Sequence, residues 1–202
     1  QHHVGIRHPI WRRHDDFVSR LQGGGEQAVD GTLGTARDHD LVHAVSQAVL
    51  ARELVDAPSV LFIGRHVGYP VALEGALKLK ELAYIHAEGF AGGELKHGPI
   101  ALIEEGTAVI AILPTADEHQ LDEKMLSNIQ EVKARGARVI VIAAEGAEVV
   151  GAEHIIRIPV ASPLFQPVLA TIPLQVFAYE IAVARGADVD QPRNLAKSVT
   201  VE

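Results

Sequence analysis

Apolar residues cluster along this chain in four short, nearly unbroken runs that are rich in β-branched side chains. The runs cover residues 59–63 (SVLFI), 107–113 (TAVIAIL), 138–143 (RVIVIA) and 154–159 (HIIRIP). Strands of a parallel sheet that is covered on both faces read as continuous apolar runs, without alternation of apolar and polar residues. The pattern therefore predicts four buried parallel strands.

Between these runs, apolar residues recur every three or four positions, which is the spacing of one face of a helix. The predicted helices cover residues 40–54, 70–85, 122–134 and 164–184. Pro70 suits the first turn of the second helix. Pro167 and Pro173 predict an interruption or a kink in the last helix, because proline removes a backbone hydrogen bond.

Strands that alternate with helices define the fold class. We predict an α/β protein, a three-layer αβα sandwich with a parallel sheet and right-handed crossovers. In such folds ligands lie beyond the carboxyl ends of the strands, which are marked here by Gly64, Pro114 and Ala144. A site is expected along that edge of the sheet.

The first 40 residues differ from the rest of the chain. They contain scattered histidines and three consecutive glycines at 23–25, and they show no sustained helical or strand period. We predict an irregular tail or linker over residues 1–40 and one domain over residues 41–202. The histidine spacing matches no ligand pattern, so no metal site is predicted.

Composition narrows the classes of function. Among 202 residues, 48% are hydrophobic and 22% are charged, which is typical of a globular protein. The net charge of -8 argues against a nucleic-acid or anionic-membrane surface, but it is compatible with a local site for a phosphorylated metabolite. The absence of cysteine excludes disulfides and thiol nucleophiles and fits the cytoplasm. No apolar run reaches about 18 residues, so no membrane span is predicted.

One stretch, residues 73–99 (LEGALKLKELAYIHAEGFAGGELKHGP), combines several charged groups with an apolar helix. Glu74, Lys78 and Glu81 follow one another at spacings of four and three, and a glycine-rich turn and His97 come next. One interpretation is a solvated helix face stabilised by the Glu74–Lys78 pair. The other is a partly buried carboxylate that acts as a general base beside a lysine. The leucines that flank the charges leave little polar face and favour the second interpretation.

Two further residues offer chemistry. His97 is followed by Gly98 and Pro99, which hold it in a turn, and as a single histidine it is compatible with a structural role. Lys197 stands between Leu195 and Val199, near the end of the chain. It is either an ordinary solvated lysine or a desolvated amine that forms a Schiff base with a carbonyl. Spacing alone does not decide between these interpretations.

Two segments of the chain closely resemble one family. Residues 62–105 (FIGRHVGYPVALEGALKLKELAYIHAEGFAGGELKHGPIALIEE) and residues 188–202 (DVDQPRNLAKSVTVE) are similar to the C-terminal sugar isomerase (SIS) domain of glutamine–fructose-6-phosphate aminotransferases (isomerizing), also called glucosamine-6-phosphate synthases. The resemblance extends over residues 60–202. It implies a flavodoxin-like parallel sheet, and the cofactor-free conversion of fructose 6-phosphate and ammonia to glucosamine 6-phosphate in amino-sugar biosynthesis.

The resemblance also implies roles for individual residues. Glu81 would move a proton between the first two carbons of the sugar, and Lys197 would form a Schiff base with the substrate ketone. Lys78 would support ring opening and the charge near Glu81. His97 would assist ring opening in the site of the neighbouring subunit, so a homodimer is expected. Ala196 would border the sugar and the path of ammonia, which makes it a predicted substrate contact together with Glu81 and Lys197.

The chain departs from that family in two respects. It has no cysteine to serve as the nucleophile of a glutaminase, and it has no S-x-S-G-x-T phosphate loop of a first SIS domain. We therefore expect the chain to be incomplete as an enzyme on its own, with a separate glutaminase and a first SIS domain as candidate partners. The alternative is a catalytically incomplete module that binds sugar phosphates or oligomerises.

Overall fold

Five parallel strands form the centre of the computed structural model, which describes residues 47–113 and 119–195. The strands are β1 (Ser59–Gly64), β2 (His86–Ala91), β3 (Ala108–Ile112), β4 (Arg138–Ala144) and β5 (His154–Ile158). They lie side by side in the order β2-β1-β3-β4-β5, and every neighbouring pair is parallel. The four predicted apolar runs correspond to β1, β3, β4 and β5.

Helices cover both faces of the sheet. Residues 47–53 are helical, and the longer helices are α1 (Gly68–Lys78), α2 (His119–Lys133) and α3 (Gln166–Ala184). Alternate residues of each central strand face opposite layers: Phe62 packs in one core with Leu174 of α3, whereas Ile63 packs in a second core with Met125 of α2. This arrangement confirms the predicted three-layer sandwich. The predicted start of the first helix at Asp40, the tail over residues 1–40 and Pro114 lie outside the described residues.

The glycine-rich stretch after α1 is a strand, so the predicted turn is wrong. Residues 86–91 pair with β1 along its whole length, from Ser59 opposite His86 to Gly64 opposite Ala91. Their apolar pattern is weak because β2 lies at the edge of the sheet and is half exposed. A Cβ atom at Gly89 would lie 3.0 Å from the backbone of Leu73, so the glycine allows α1 to pack directly on this strand.

Two helices also differ from their predictions. The helix predicted to run to Ile85 is α-helical only to Lys78 and continues as a π-helical turn, Leu79–Ala83. Tyr84 then takes a left-handed conformation, with φ of 57°, which ends the helical segment. Of the interruption or kink predicted for α3, the interruption is absent, because the helix is continuous from Gln166 to Ala184 with Pro173 inside it.

Helix α3 is long and apolar enough to cross a membrane, with 19 residues and a mean hydropathy of 1.5. This contrasts with the prediction that the chain has no such segment. The signal is weak, because the core helix of a soluble protein meets the same criterion. Leu174, Phe177 and Ile181 of α3 are buried in the core against the sheet.

Candidate active site

The π-helical turn Leu79–Ala83 lies beside the amino ends of the strands, which we call the amino edge of the sheet; the carboxyl ends form the carboxyl edge. Helix α1 begins just after the carboxyl end of β1, runs back along the sheet and ends where β2 begins. Beside this turn lies a cleft of about 560 Å³. It is lined by Leu77, Lys80, Glu81, Tyr84, Ile85, His86, Arg193, Asn194 and Leu195. The site expected at the carboxyl edge is therefore not where Glu81 lies, because the return of α1 places this residue at the opposite edge.

The three charged residues singled out in the sequence lie together. Lys78 Nζ donates a hydrogen bond to Glu81 Oε2 at 2.6 Å and lies 3.7 Å from Glu74 Oε1. The Lys78 and Glu81 side chains are 25% and 28% exposed, so the pair is mostly shielded from solvent. The hydrogen bond to Glu81 and the charges of both carboxylates raise the pKa of Lys78 above its usual value. Lys78 therefore stays protonated at neutral pH and balances the charge of a carboxylate at Glu81.

The C-terminal segment, residues 190–195, forms the other side of the cleft through Arg193, Asn194 and Leu195. The backbone N–H of Arg193 donates a hydrogen bond to Tyr84 Oη at 2.9 Å. The Arg193 guanidinium lies 4.1 Å from the centre of the Tyr84 ring, which is a cation–π contact. Leu195 lines the cleft with Glu81. The chain thus brings the residues that precede the predicted Ala196 and Lys197 to the predicted base, while Ala196 and Lys197 themselves lie outside the described residues.

The backbone of the cleft is unusual at two points. Among the described residues, three that are not glycine have a positive φ: His66, Tyr84 and Asn194. Tyr84 and Asn194, with φ of 57° and 63°, both line the cleft. A left-handed conformation is unfavourable for a bulky residue such as tyrosine, and conformations of this kind are concentrated at functional sites.

His97 lies away from this cleft within one chain. It ends a short 3₁₀ helix, Gly92–His97, that follows the carboxyl end of β2, and its side chain is exposed. Glu81 precedes the amino end of the same strand, and a strand of six residues spans roughly 17–20 Å. The structure therefore brings Lys78 and Glu81 together but leaves His97 at the opposite edge of the sheet.

Polar contacts hold the segment that carries His97. Arg65 Nε donates a hydrogen bond to Oδ1 of the buried Asn128 at 2.9 Å, and Lys96 Nζ lies 2.8 Å from Glu131 Oε1. A Cβ atom at Gly92 would lie 2.8 Å from Asn128 Oδ1, so the segment packs closely on α2. These contacts were not foreseen from the sequence, because they join residues up to 63 positions apart.

Within residues 47–113 and 119–195, one group of side chains has the composition of a metal site. Glu53, Glu153 and His154 place one ligand atom each within 4.8 Å of the others, on the surface. Arg138 Nη2 already lies 2.6 Å from Glu53 and 2.7 Å from Glu153. The guanidinium therefore supplies the positive charge that these carboxylates need, and the group is a surface salt-bridge cluster.

Residues 53–185 match the SIS domain family. The chain belongs to this family. The match includes the whole sheet, α1, the π-helical turn and Glu81. The SIS domain predicted from residues 62–105 and 188–202 is confirmed.

Curated relatives of this SIS domain are named glutamine–fructose-6-phosphate aminotransferase [isomerizing]. One from Corynebacterium diphtheriae is 63% identical over 197 residues, which cover 92% of this chain and 32% of the relative. One from Leifsonia xyli is 59% identical over 192 residues, which cover 86% of this chain and 31% of the relative. The chain thus spans about a third of the length of these relatives, and the first match reaches into residues 1–40.

A solved structure shows the same fold at lower identity. The C-terminal domain of glucosamine-fructose-6-phosphate aminotransferase from Francisella tularensis superposes with a TM-score of 0.68 at 37% identity. The superposition covers 75% of this chain and 42% of that one. The SIS domain described here is therefore similar in sequence and in fold to part of a larger protein.

Proposed function

We propose that this chain carries the isomerase step of a glutamine–fructose-6-phosphate aminotransferase, in which fructose 6-phosphate and ammonia give glucosamine 6-phosphate and water. The observation that carries the proposal is the cleft in which Glu81 faces Arg193, Asn194 and Leu195, the residues that lead into Lys197. The names of the relatives specify fructose 6-phosphate, amino transfer and isomerisation. The cleft contains the carboxylate of Glu81, and the lysine that this chemistry needs follows Leu195 in the chain.

Lys197 supplies the nucleophile in this proposal. It follows Leu195 by two residues, so its Cα lies no more than about 7 Å from that of Leu195. The lysine amine adds to the C2 ketone of the open-chain sugar and expels water, which gives an imine. Ammonia then adds to C2 and releases the lysine amine, leaving the sugar as a 2-imine. Ala196 borders the sugar during these steps.

Glu81 supplies the proton transfer. Its carboxylate takes a proton from C1 and returns it to C2, while the imine nitrogen gains one proton and the O1 hydroxyl loses one. The 2-imine of a primary alcohol thereby becomes a 2-amino aldehyde. The imine makes the C1–H bond more acidic, because its electrons move onto nitrogen when the proton leaves. Lys78, 2.6 Å from Glu81, carries the positive charge that supports ring opening and stabilises the Glu81 carboxylate before the first transfer and after the second.

His97 acts in the site of a second copy of the chain. Glu81 and His97 lie at opposite edges of the sheet, which is compatible with ring opening only if His97 comes from a partner. The proposal therefore includes a homodimer in which two equivalent sites are each built from both subunits. No metal or organic cofactor is required for any of these steps.

The proposal places the chain in a larger assembly. The curated relatives are about three times as long as the chain, so a glutaminase domain that releases ammonia and a first SIS domain that holds the sugar phosphate come from the rest of such a protein or from separate chains. Because all reactants are soluble metabolites, we place this assembly in the cytoplasm.

Trapping of the imine tests the proposal. The chain is mixed with fructose 6-phosphate, both alone and with the separately produced remainder of the C. diphtheriae relative, and borohydride is added. We expect one reduced sugar adduct on Lys197, located by peptide mass spectrometry, and its loss in Lys197→Ala. Lys124→Ala is the matched control, because Lys124 is an exposed lysine on α2.

Two results would contradict the proposal. One is an adduct that persists in Lys197→Ala, and the other is a reconstituted mixture that makes no glucosamine 6-phosphate from fructose 6-phosphate and ammonium. Equal binding of fructose 6-phosphate by the wild type, Glu81→Gln and Lys197→Ala, with no turnover in any mixture, would instead support the non-catalytic sugar-phosphate-binding or oligomerising module.

A further inference from the structure

Tyr84 makes two separate contacts with one residue of the C-terminal segment. Its hydroxyl oxygen accepts a hydrogen bond from the backbone N–H of Arg193 at 2.9 Å. Its ring faces the Arg193 guanidinium at 4.1 Å. The hydrogen bond fixes the path of the backbone, and the ring contact fixes the direction of the side chain. Together they attach the segment at a point four residues before Lys197.

The position of the Tyr84 ring is itself fixed. Tyr84 follows the π-helical turn in a left-handed conformation, between Ala83 and Ile85, which are 0% and 3% exposed. Burial of both neighbours prevents the backbone from relaxing to a more favourable conformation. Glu81 belongs to the same turn, three residues earlier. One rigid element therefore carries both the proposed base and the point at which the C-terminal segment is attached.

The segment itself has little support from the core. After α3 ends, residues 190–195 are mostly exposed, and Asp188 Oδ1 accepts hydrogen bonds from the N–H groups of Asp190 and Gln191 within the segment. Exposed chain of this kind loses much conformational entropy when it is ordered. An attachment near its end is what reduces the range of positions open to the residues that follow.

We infer that Tyr84 is a positioning residue that attaches the C-terminal segment to the π-helical turn. This attachment keeps the Lys197 amine close to the Glu81 carboxylate. This inference rests on the proposed function. Tyr84 touches neither of the reacting carbons in this scheme; it acts through Arg193. The loss of the attachment therefore lowers the rate of imine formation while the affinity for fructose 6-phosphate changes little.

Three variants separate the two contacts. Tyr84→Phe keeps the ring and removes the hydroxyl acceptor, Arg193→Gln keeps the backbone N–H and removes the guanidinium, and Tyr84→Ala removes both contacts. One hydrogen bond corresponds to about a 2- to 10-fold change, and we expect an effect of that size on the rate of adduct formation in Tyr84→Phe. Tyr84→Ala is expected to lose about 10- to 100-fold. Tyr69→Phe is the control, because Tyr69 lies in the first turn of α1 at the other edge of the sheet.

Hydrogen–deuterium exchange of the same proteins is the readout that does not depend on activity. We expect the amide of residue 193 to exchange faster in Tyr84→Phe and Tyr84→Ala, which lose its hydrogen-bond acceptor, with unchanged exchange in the core strands and in Tyr69→Phe. Exchange that is unchanged in Tyr84→Ala would overturn the inference, whether or not the wild type forms an adduct.

The two levels of the proposal fail in different ways. If the wild type forms no adduct on Lys197 but both Tyr84 variants lose protection of the residue 193 amide, the proposed chemistry fails and the attachment itself stands. If the wild type forms the adduct at the same rate as both Tyr84 variants, the proposed chemistry stands and the positioning role is overturned. Equal thermal midpoints of the variants and the wild type show that a lower rate of adduct formation or a loss of exchange protection is not due to unfolding.

Discussion

Glu74 and Glu81 both face Lys78, and the difference between their distances gives them different expected roles. Glu81 Oε2 is 2.6 Å from Lys78 Nζ and lines the cleft, whereas Glu74 Oε1 is 3.7 Å away and does not line it. The same lysine thus contacts one carboxylate that reaches the substrate space and another that only supports the pair. Two isosteric substitutions separate these roles.

Glu81→Gln is expected to lower the rate of glucosamine 6-phosphate formation by about 10²- to 10⁴-fold, because the amide cannot take up the proton from C1. The amide oxygen still accepts the Lys78 hydrogen bond, so the fold is retained. Glu74→Gln is the matched control and is expected to change the rate by less than about 5-fold. Product formation in the reconstituted mixture measures both. An equal loss in the two variants would exclude a special role for Glu81.

Lys78 allows a prediction about pH. Its pKa is raised by the hydrogen bond to Glu81, so the pair stabilises the folded state fully below the pKa of about 10.5 of an unfolded lysine. That contribution is lost as the pH rises through the higher pKa of the folded state. Urea unfolding should show Lys78→Met about 0.2–1 kcal/mol less stable than the wild type near pH 8. The difference should shrink above about pH 11. A difference that grows with pH would contradict this assignment.

Sequence spacing predicts some of the side-chain contacts at the site but not others. Residues three and four positions apart on a helix are neighbours, so the contacts of Lys78 with Glu74 and Glu81 follow from the sequence. The contact of Tyr84 with Arg193 joins residues 109 positions apart and depends on a left-handed backbone at a tyrosine. No local pattern of apolar residues indicates such a conformation.

Helix α1 packs closely against the sheet and against α3, and these contacts set its position. Gly75 lies at this contact: a Cβ atom there would be 2.8 Å from Phe62 Cε1 and 2.9 Å from Leu174 Cδ1. Glycine within a helix is normally unfavourable, so its presence here reflects packing and not helix propensity. The position of Glu81 depends on this contact, because the π-helical turn continues α1.

Gly75→Ala is expected to destabilise the protein by about 1–3 kcal/mol, because the gain in helix propensity does not compensate for overpacking. Urea unfolding measures the change. Leu174→Ala removes one of the two side chains that the new methyl group would meet. The double variant should therefore be less destabilised than the sum of the two single variants. Additive effects would show that the methyl group is accommodated in another way.

Elements with a strong apolar signal were predicted from the sequence, and those without one were not. Strands β1, β3 and β4 are buried on both faces, so their residues are apolar except for Ser59 and Arg138 at the first positions of β1 and β4. Strand β2 lies at the edge, and its sequence, HAEGFA, resembles a turn because Gly89 makes room for α1. The proline in α3 suggested an interruption, but burial of this helix against the sheet outweighs the lost hydrogen bond.

Within one chain, Glu81 lies near the amino end of β2 and His97 lies beyond its carboxyl end, so the two residues are at opposite edges of the sheet. They are separated along β2 by roughly 17–20 Å, which is too far for both to contact one sugar within one chain. The sequence indicates both residues through the family resemblance. It cannot show their separation, because that separation depends on β2, the strand whose sequence reads as a turn. The proposed dimer removes the difficulty if a partner supplies His97.

Mixing two inactive variants tests this arrangement. In a dimer of Glu81→Gln with His97→Ala, one site carries both substitutions, and the other combines an intact Glu81 with an intact His97 from the partner. Random pairing at equal amounts makes half of the dimers mixed, so the mixture should recover about a quarter of the wild-type activity. If His97 acted within its own chain, every site would carry one substitution and mixing would restore nothing. Native mass spectrometry of the mixture confirms that the subunits exchange. The control is a mixture in which Glu74→Gln replaces Glu81→Gln.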